Sequence, residues 1–199
     1  MRESPEKSVL QKLRVRLWVF FVLGLFALMA VSTSAWEAKS LIVTSLLFLV
    51  GMVLVGIASM GRLWCSLYIA GRKTRELVTE GPYSICRNPL YFFSWIGLTG
   101  VGLCSETLLV PALLAAGFAL YYPGVIRDEE ARMRELHGAR FVDYLASTPR
   151  FFPRLSRLRE PLEHVVNPRV FRRHLTDALL FVWCVGLLEV IEEAHKLGW

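Results

Sequence analysis

Four long stretches of this chain carry no charged residue, and polar segments separate them. Leu17 to Trp36 is 20 residues, Ser40 to Gly61 is 22, Asn88 to Ser105 is 18 and Thr107 to Ile126 is 20. A bilayer core of roughly 30 Å needs about 20 apolar residues per helix, so the pattern predicts four transmembrane helices. A fifth stretch, Ala178 to Leu188, is charge-free for only 11 residues. At about 100° per residue, Leu179, Trp183, Leu187, Val190 and Ile191 share one face, while Glu189, Glu192 and His174 lie on another. That fits a short span packed on the bundle, or an amphipathic helix lying in the interface.

The polar segments have their own order. A turn near Trp36–Lys39 joins the first two spans, and one about Ser105–Glu106 joins the third and fourth. "RLWCSLYIAGRKTREL" continues the second span, with Trp64 and Tyr68 at headgroup depth. Gly81-Pro82 punctuates the chain, and Pro89 stands where the third span begins, where a missing N–H costs little. The fourth span runs on as "YYPGVIRDEEARMRELHG", with Pro123 as a kink site and Gly138 as its cap. "ARFVDYLAS" predicts a second short helix with Phe141, Tyr144 and Leu145 on one face. "TPRFFPRL" predicts an extended return of aromatic residues to the bilayer surface.

Composition agrees: 54% of the 199 residues are hydrophobic and mean hydropathy is +0.44. The expectation is one all-α polytopic membrane domain over residues 1–199, with four spans, a candidate fifth and short cytosolic helices. The net charge of +6 points away from nucleic acid once its distribution is read. Arg2, Lys7, Lys12, Arg14 and Arg16 precede the first span. Arg62, Arg72, Lys73, Arg75 and Arg87 lie between spans two and three. Eleven arginines lie from Arg127 to Arg173. Basic residues favour cytosolic loops, so the N-terminus and both long polar segments are expected in the cytosol. "STSAW" imitates a signal-peptide cleavage site, but cleavage would strand the basic loops on the wrong side, so the segment reads as a retained anchor. Cys65, Cys86, Cys104 and Cys184 are scattered, without metal-ligand spacing.

Three pieces converge on the cytosolic side: the Gly-Pro-Tyr turn, the Arg-Asn-Pro junction and the acidic helix "RDEEARMRE". A span pair returns to its starting face, so Arg87 and Glu129–Glu130 lie at one depth. Backbone donors in a glycine turn suit an anionic group. A guanidinium suits a carboxylate or phosphate, and a carboxylate suits a diol or an amine. Tyr83, Tyr91, Tyr144 and Phe151 can wall an adenine. Carboxylate, amine, diol and adenine are the handles of S-adenosylmethionine, and other amphoteric ligands share them. Read singly, each piece has a plainer role: a turn, an arginine reaching lipid phosphate, a solvated Glu130–Arg134 pair of small value, an aromatic belt.

Taken in order, "LVTEGPYSICRNPLYF", a helical hairpin and "RDEEARMRELHGARFVDYLASTPRFFP" resemble the isoprenylcysteine carboxyl methyltransferase family, together with the related phospholipid N-methyltransferases. The similarity covers residues 77–153. The family's Leu-Val-x-x-Gly-Pro-Tyr element falls on Leu77, Val78, Gly81, Pro82 and Tyr83. Its Arg-His-Pro-x-Tyr element falls on Arg87, Asn88, Pro89 and Tyr91, its paired glutamates on Glu129 and Glu130, and its later spaced aromatics on Phe141 and Tyr144. Asn88 stands where the family has histidine, and an amide cannot act as a base near neutral pH. His137 replaces an apolar residue and Phe141 lacks the usual hydroxyl.

The resemblance implies methyl transfer from S-adenosylmethionine to a lipid-like acceptor, a prenylcysteine-type carboxylate or a phospholipid amine. It also implies a multi-pass protein of a prokaryotic inner membrane with its site in the cytosol. Arg87, Asn88 and Glu130 are then the expected catalytic residues. Leu77, Val78, Gly81, Pro82, Tyr83, Arg87, Asn88, Pro89, Tyr91, Glu129, Glu130 and Tyr144 are expected to hold the cofactor, with no metal. Two other readings stand beside it: a nicotinamide-dependent membrane reductase of related architecture, and a non-catalytic lipid-binding protein. The reductase needs a pocket for a second, phosphate-bearing half, and the chain has no Gly-x-Gly-x-x-Gly.

Overall fold

The computed structural model describes Gly24, residues 40–72 and residues 76–196. The expected first span, the basic arm before it and Arg75 therefore lie outside the described residues, apart from Gly24. Every regular element among the described residues is helical: α1 (Leu41–Ile69), α2 (Pro82–Ile85), α3 (Pro89–Cys104), α4 (Leu109–His137), α5 (Ala139–Ser147), a 3-10 turn (Leu155–Arg157), α6 (Pro168–Ala178) and α7 (Leu180–Lys196).

Three helical stretches are long and apolar enough to cross a membrane: Leu41–Ile69, Leu109–His137 and Pro168–Ala194. At 1.5 Å per residue, the 29-residue α1 and α4 run about 43 Å, so each outreaches the hydrocarbon core. The 16-residue α3 is the short member at about 24 Å. The fifth stretch is longer than its charge-free run suggests, because the helix continues through Leu179. Trp183 N donates to Leu179 O at 3.0 Å and Leu179 N to Leu175 O at 3.3 Å.

α7 is packed on the bundle rather than lying apart from it. Phe181, Val185 and Leu188 are buried against Val55 and Ala58 of α1 and Val101 and Cys104 of α3. The opposite face, with Trp183, Leu187 and Val190, is apolar and exposed. α1 and α3 form the most extensive helix pair. Their backbones approach at Gly51 and Gly100, where a Cβ on either would meet the other's carbonyl oxygen at 2.7 or 2.8 Å. Close backbone approach through small residues is a main route to helix packing in lipid, where apolar surfaces gain nothing from hydrophobicity. Arg62, one residue past the charge-free run of α1, ties three helices. It donates to Ser94 Oγ of α3, and its guanidinium lies 5.6 Å from the centre of the Phe181 ring of α7.

At the polar end, Gly138 closes α4 with φ +53° and ψ −129°, a region open to glycine but outside the left-handed helical well expected of a cap. α5 then forms as its pattern predicts, with Phe141 and Tyr144 buried. The chain returns as an irregular, bent strap over 148–153 rather than a fully extended one, with Phe151 partly buried and Phe152 exposed.

Candidate active site at the polar end of the bundle

The Gly-Pro-Tyr turn is fixed from three sides. Gly81 has φ +56°, and a Cβ there would meet the Tyr68 ring at 2.3 Å, so glycine is required both by backbone and by packing. Its N–H donates to Arg159 O at 2.8 Å, while Ser84 Oγ donates to Gly81 O at 2.6 Å and accepts from Arg159 N at 3.0 Å. Pro82 starts α2, where its ring costs no hydrogen bond. Tyr144 OH donates to Tyr83 O at 2.7 Å, which docks α5 on the turn.

The Arg-Asn-Pro junction is held by the strap. Arg87 N donates to Pro149 O at 2.8 Å, and Asn88 Nδ2 donates to Arg150 O at 2.9 Å. Asn88 is therefore a buried brace between α3 and the strap, with its amide donor already engaged. Cys86 is fully buried and donates to Phe151 O at 2.9 Å; burial pushes its thiol up to about 11. Burial likewise pushes the Tyr83 and Tyr144 phenols above their ordinary range, so both stay neutral donors.

Between these pieces and α4 lies a half-open hollow of about 120 Å³. Leu77, Val78, Tyr83, Arg87, Asn88, Pro89, Tyr91, Glu129, Glu130 and Tyr144 all line it. Gly81 and Pro82 do not; they shape the turn from behind, against Tyr68. Phe151 does not either. It packs with Phe92, Trp95 and Phe118, because the strap turns that ring toward the apolar side. Ile69, Glu76, Leu90, Met133 and Phe141 complete the wall. Met133 was legible, since it lies four residues after Glu129 on the same helix face. Ile69 and Glu76 carried no signal beyond nearness to the turn.

The electrostatic centre is a carboxylate between two guanidiniums. Arg87 Nη1 lies 3.3 Å from Glu130 Oε1, and Arg150 Nη2 lies 3.1 Å from Glu130 Oε2. Glu130 thus reaches across to the junction and the strap rather than along its own helix to Arg134. Next to it, Tyr91 OH donates to Glu129 Oε2 at 2.9 Å. Arg87 Nε is shielded from water and makes no hydrogen bond, and the shielded Glu130 Oε1 is met only by the Arg87 ion pair. Shielded polar atoms without a hydrogen bond are uncommon in proteins, and here they belong to the two partners of one ion pair lining one hollow. A carboxylate on a ligand suits the Arg87 guanidinium, and an amine or hydroxyl suits the Glu130 carboxylate.

On the apolar side of the strap, Trp95, Phe118, Tyr122, Phe151 and Phe152 line a cleft of about 470 Å³ whose polar edge is Arg150. The same arginine contacts Glu130 of the hollow, so an ion pair links the two spaces.

A profile of the family described as phospholipid methyltransferase matches residues 39–140. The nickel-cobalt-cadmium resistance protein NccN of Alcaligenes xylosoxydans xylosoxydans is 39% identical over 98% of this chain and 91% of its own length. The cobalt-zinc-cadmium resistance protein CzcN of Cupriavidus metallidurans is 42% identical over 93% of this chain and 83% of its own. No solved structure matches. With half the chain under the profile and relatives matched along nearly their full length, this helical membrane protein belongs to the phospholipid methyltransferase family.

Proposed function

We propose that this chain is an integral membrane S-adenosylmethionine-dependent methyltransferase whose acceptor is lipid-like and whose site faces the cytosol. The observation that carries the reading is the Arg87–Glu130 ion pair, with Arg87 Nε making no hydrogen bond, in a hollow walled by Tyr83, Tyr91 and Tyr144. When bound, S-adenosylmethionine supplies a methyl group activated on a sulfonium. Arg87 holds a carboxylate, Glu130 accepts from an amine or hydroxyl, and the tyrosine rings bound the flat part of the ligand. Pro89 and Asn88 brace the junction that aims Arg87. Asn88 has this positioning role because its amide donor is bonded to the strap.

The acceptor's chain fits the aromatic cleft, with its polar head at Arg150, next to Glu130. The protein's contribution is then to hold donor and acceptor in line, and orientation alone supplies several kcal/mol of a barrier. An amine acceptor must shed a proton; of the three carboxylates lining the hollow, Glu76 is paired with Arg72, and Glu129 and Glu130 on α4 are the two to take it. Full methylation of a headgroup amine removes its lone pair, and with it a ligand for metal cations. That is the link we propose to the metal-resistance names of the relatives. A host lacking this chain should then become more sensitive to cadmium; unchanged sensitivity removes the link.

The cofactor assignment is tested by titrating the purified full chain with S-adenosylhomocysteine and, separately, with NADPH. The reading expects the first to bind and the second to bind far more weakly. Binding of NADPH alone favours the reductase reading.

A further inference from the structure

Beside the hollow, across a wall made by Glu76, Leu77 and Tyr144, lies a second and wider concavity of about 1070 Å³. Nothing in the methyl-transfer reading uses it. Its lining is polar and unusually rich in arginine, with Arg140, Arg157 and Arg159 all exposed.

The three guanidiniums come from two elements fixed against each other. Arg140 lies on α5 with Asp143, Tyr144 and Ser147 at i+3, i+4 and i+7, one continuous helix face. Tyr144 bonds that helix to the Gly-Pro-Tyr turn. Arg157 ends the 3-10 turn and Arg159 follows it. Arg159 is clamped to the same turn through its carbonyl and its N–H, and Arg154 N bonds Ile85 O at 2.9 Å just before it. Backbone hydrogen bonds fix the two elements that carry these arginines on either side of one basin.

Their charge is not answered from within. Among the described residues none of the three forms an ion pair. Of the two carboxylates lining the basin, Glu76 is paired with Arg72 at 3.6 Å, which leaves Asp143. A separate observation points the same way. His137, also in the lining, has Nε2 shielded from water with no hydrogen-bond partner. Hydroxyls of Thr79 and Ser147 border the same space.

We propose that this basin is a second ligand site, for a phosphate ester, distinct from the methyl-donor hollow. Planar guanidiniums presented from separate elements match tetrahedral oxyanions, with the hydroxyls of Thr79 and Ser147 as further donors. The phosphate can come from an anionic lipid headgroup at the membrane edge or from a soluble phosphate ester. The inference is independent of methyl transfer, because occupancy is read without turnover and none of the three arginines lines the hollow.

The test uses the full chain in uncharged detergent. It is titrated calorimetrically with inorganic pyrophosphate and, separately, with monomeric dihexanoyl phosphatidylglycerol against dihexanoyl phosphatidylcholine. Saturable binding of pyrophosphate points to a soluble source. Binding of the glycerol lipid alone points to a headgroup. In either case the double variant Arg140→Gln/Arg157→Gln should weaken binding roughly tenfold or more, since two charge-assisted contacts are lost. Arg172→Gln, an exposed arginine of α6 away from the basin, should leave it unchanged. The proposal is overturned if neither anion binds, if the double variant binds like the parent, or if Arg172→Gln weakens binding as much. Binding of S-adenosylhomocysteine should persist in the double variant, so loss of the anion site and failure of the methyl-donor site are read apart.

Discussion

The arginine–glutamate–arginine triad makes a quantitative prediction. Glu130 is 20% exposed and lies between Arg87, 15% exposed, and Arg150, 42% exposed. Removing one partner of a fully buried pair costs about 3–5 kcal/mol, whereas exposed pairs are worth about 0–1 kcal/mol. The Arg87–Glu130 pair lies between these limits, so Glu130→Gln should destabilise the fold by about 1–2 kcal/mol. Arg150→Gln should cost less than about 1 kcal/mol, because its guanidinium is well hydrated. Thermal unfolding of the purified protein in detergent, followed by the near-ultraviolet signal of the aromatic cluster, measures each. The decisive reading is a double-mutant cycle. Arg87→Gln and Glu130→Gln should couple by about 1 kcal/mol, while Arg134→Gln and Glu130→Gln should be additive. If the second pair couples as strongly as the first, Glu130 is paired along its helix, and the picture of a carboxylate bridging to the junction is wrong.

Other consequences are open to simple measurement. Gly81→Ala should destabilise by at least about 2 kcal/mol in thermal unfolding, since it adds strain at positive φ and a clash with Tyr68. Cys86 should resist alkylation at pH 7.5 in a variant whose other cysteines are serine, and react once unfolded; rapid labelling of the folded protein would contradict its burial. Between pH 9 and 11 the folded chain keeps the Cys86 proton that the unfolded chain loses. This one group should therefore take about 1.4 kcal/mol off stability per pH unit there, a contribution that Cys86→Ala removes. A cysteine at Leu108 should be labelled from outside intact cells and one at Ser147 should not; the reverse would invert the proposed orientation.

What could be read ahead divides along physical lines. The spans at Leu41–Ile69 and Leu109–His137, the α5 helix and the meeting of Arg87 with the Glu129–Glu130 turn were all legible. Charge-free length, helical period and the return of a hairpin to its own side determine them locally. The packing of α7 was not legible, because 11 charge-free residues fit two placements and only contact with Phe181, Val185 and Leu188 decides between them. Glu130's choice of Arg150 over Arg134 was invisible because a contact 20 residues away outcompetes an i,i+4 neighbour. Phe151 was expected beside the ligand, but the backbone bonds that set the strap also set which side its rings face. The basin lined by Arg140, Arg157 and Arg159 gave no motif, since three arginines on two elements meet only through tertiary hydrogen bonds.

The central claim is that a methyl group passes from the Arg87–Glu130 hollow to a lipid. Membranes containing the full chain, given S-adenosylmethionine labelled in its methyl group and then extracted with organic solvent, test it in one step. Label should enter the lipid fraction, fall roughly tenfold or more with Arg87→Gln, and persist with Arg134→Gln, which removes an arginine outside the hollow. Label that stays in the aqueous phase, or that enters lipid equally with Arg87→Gln, would contradict the account.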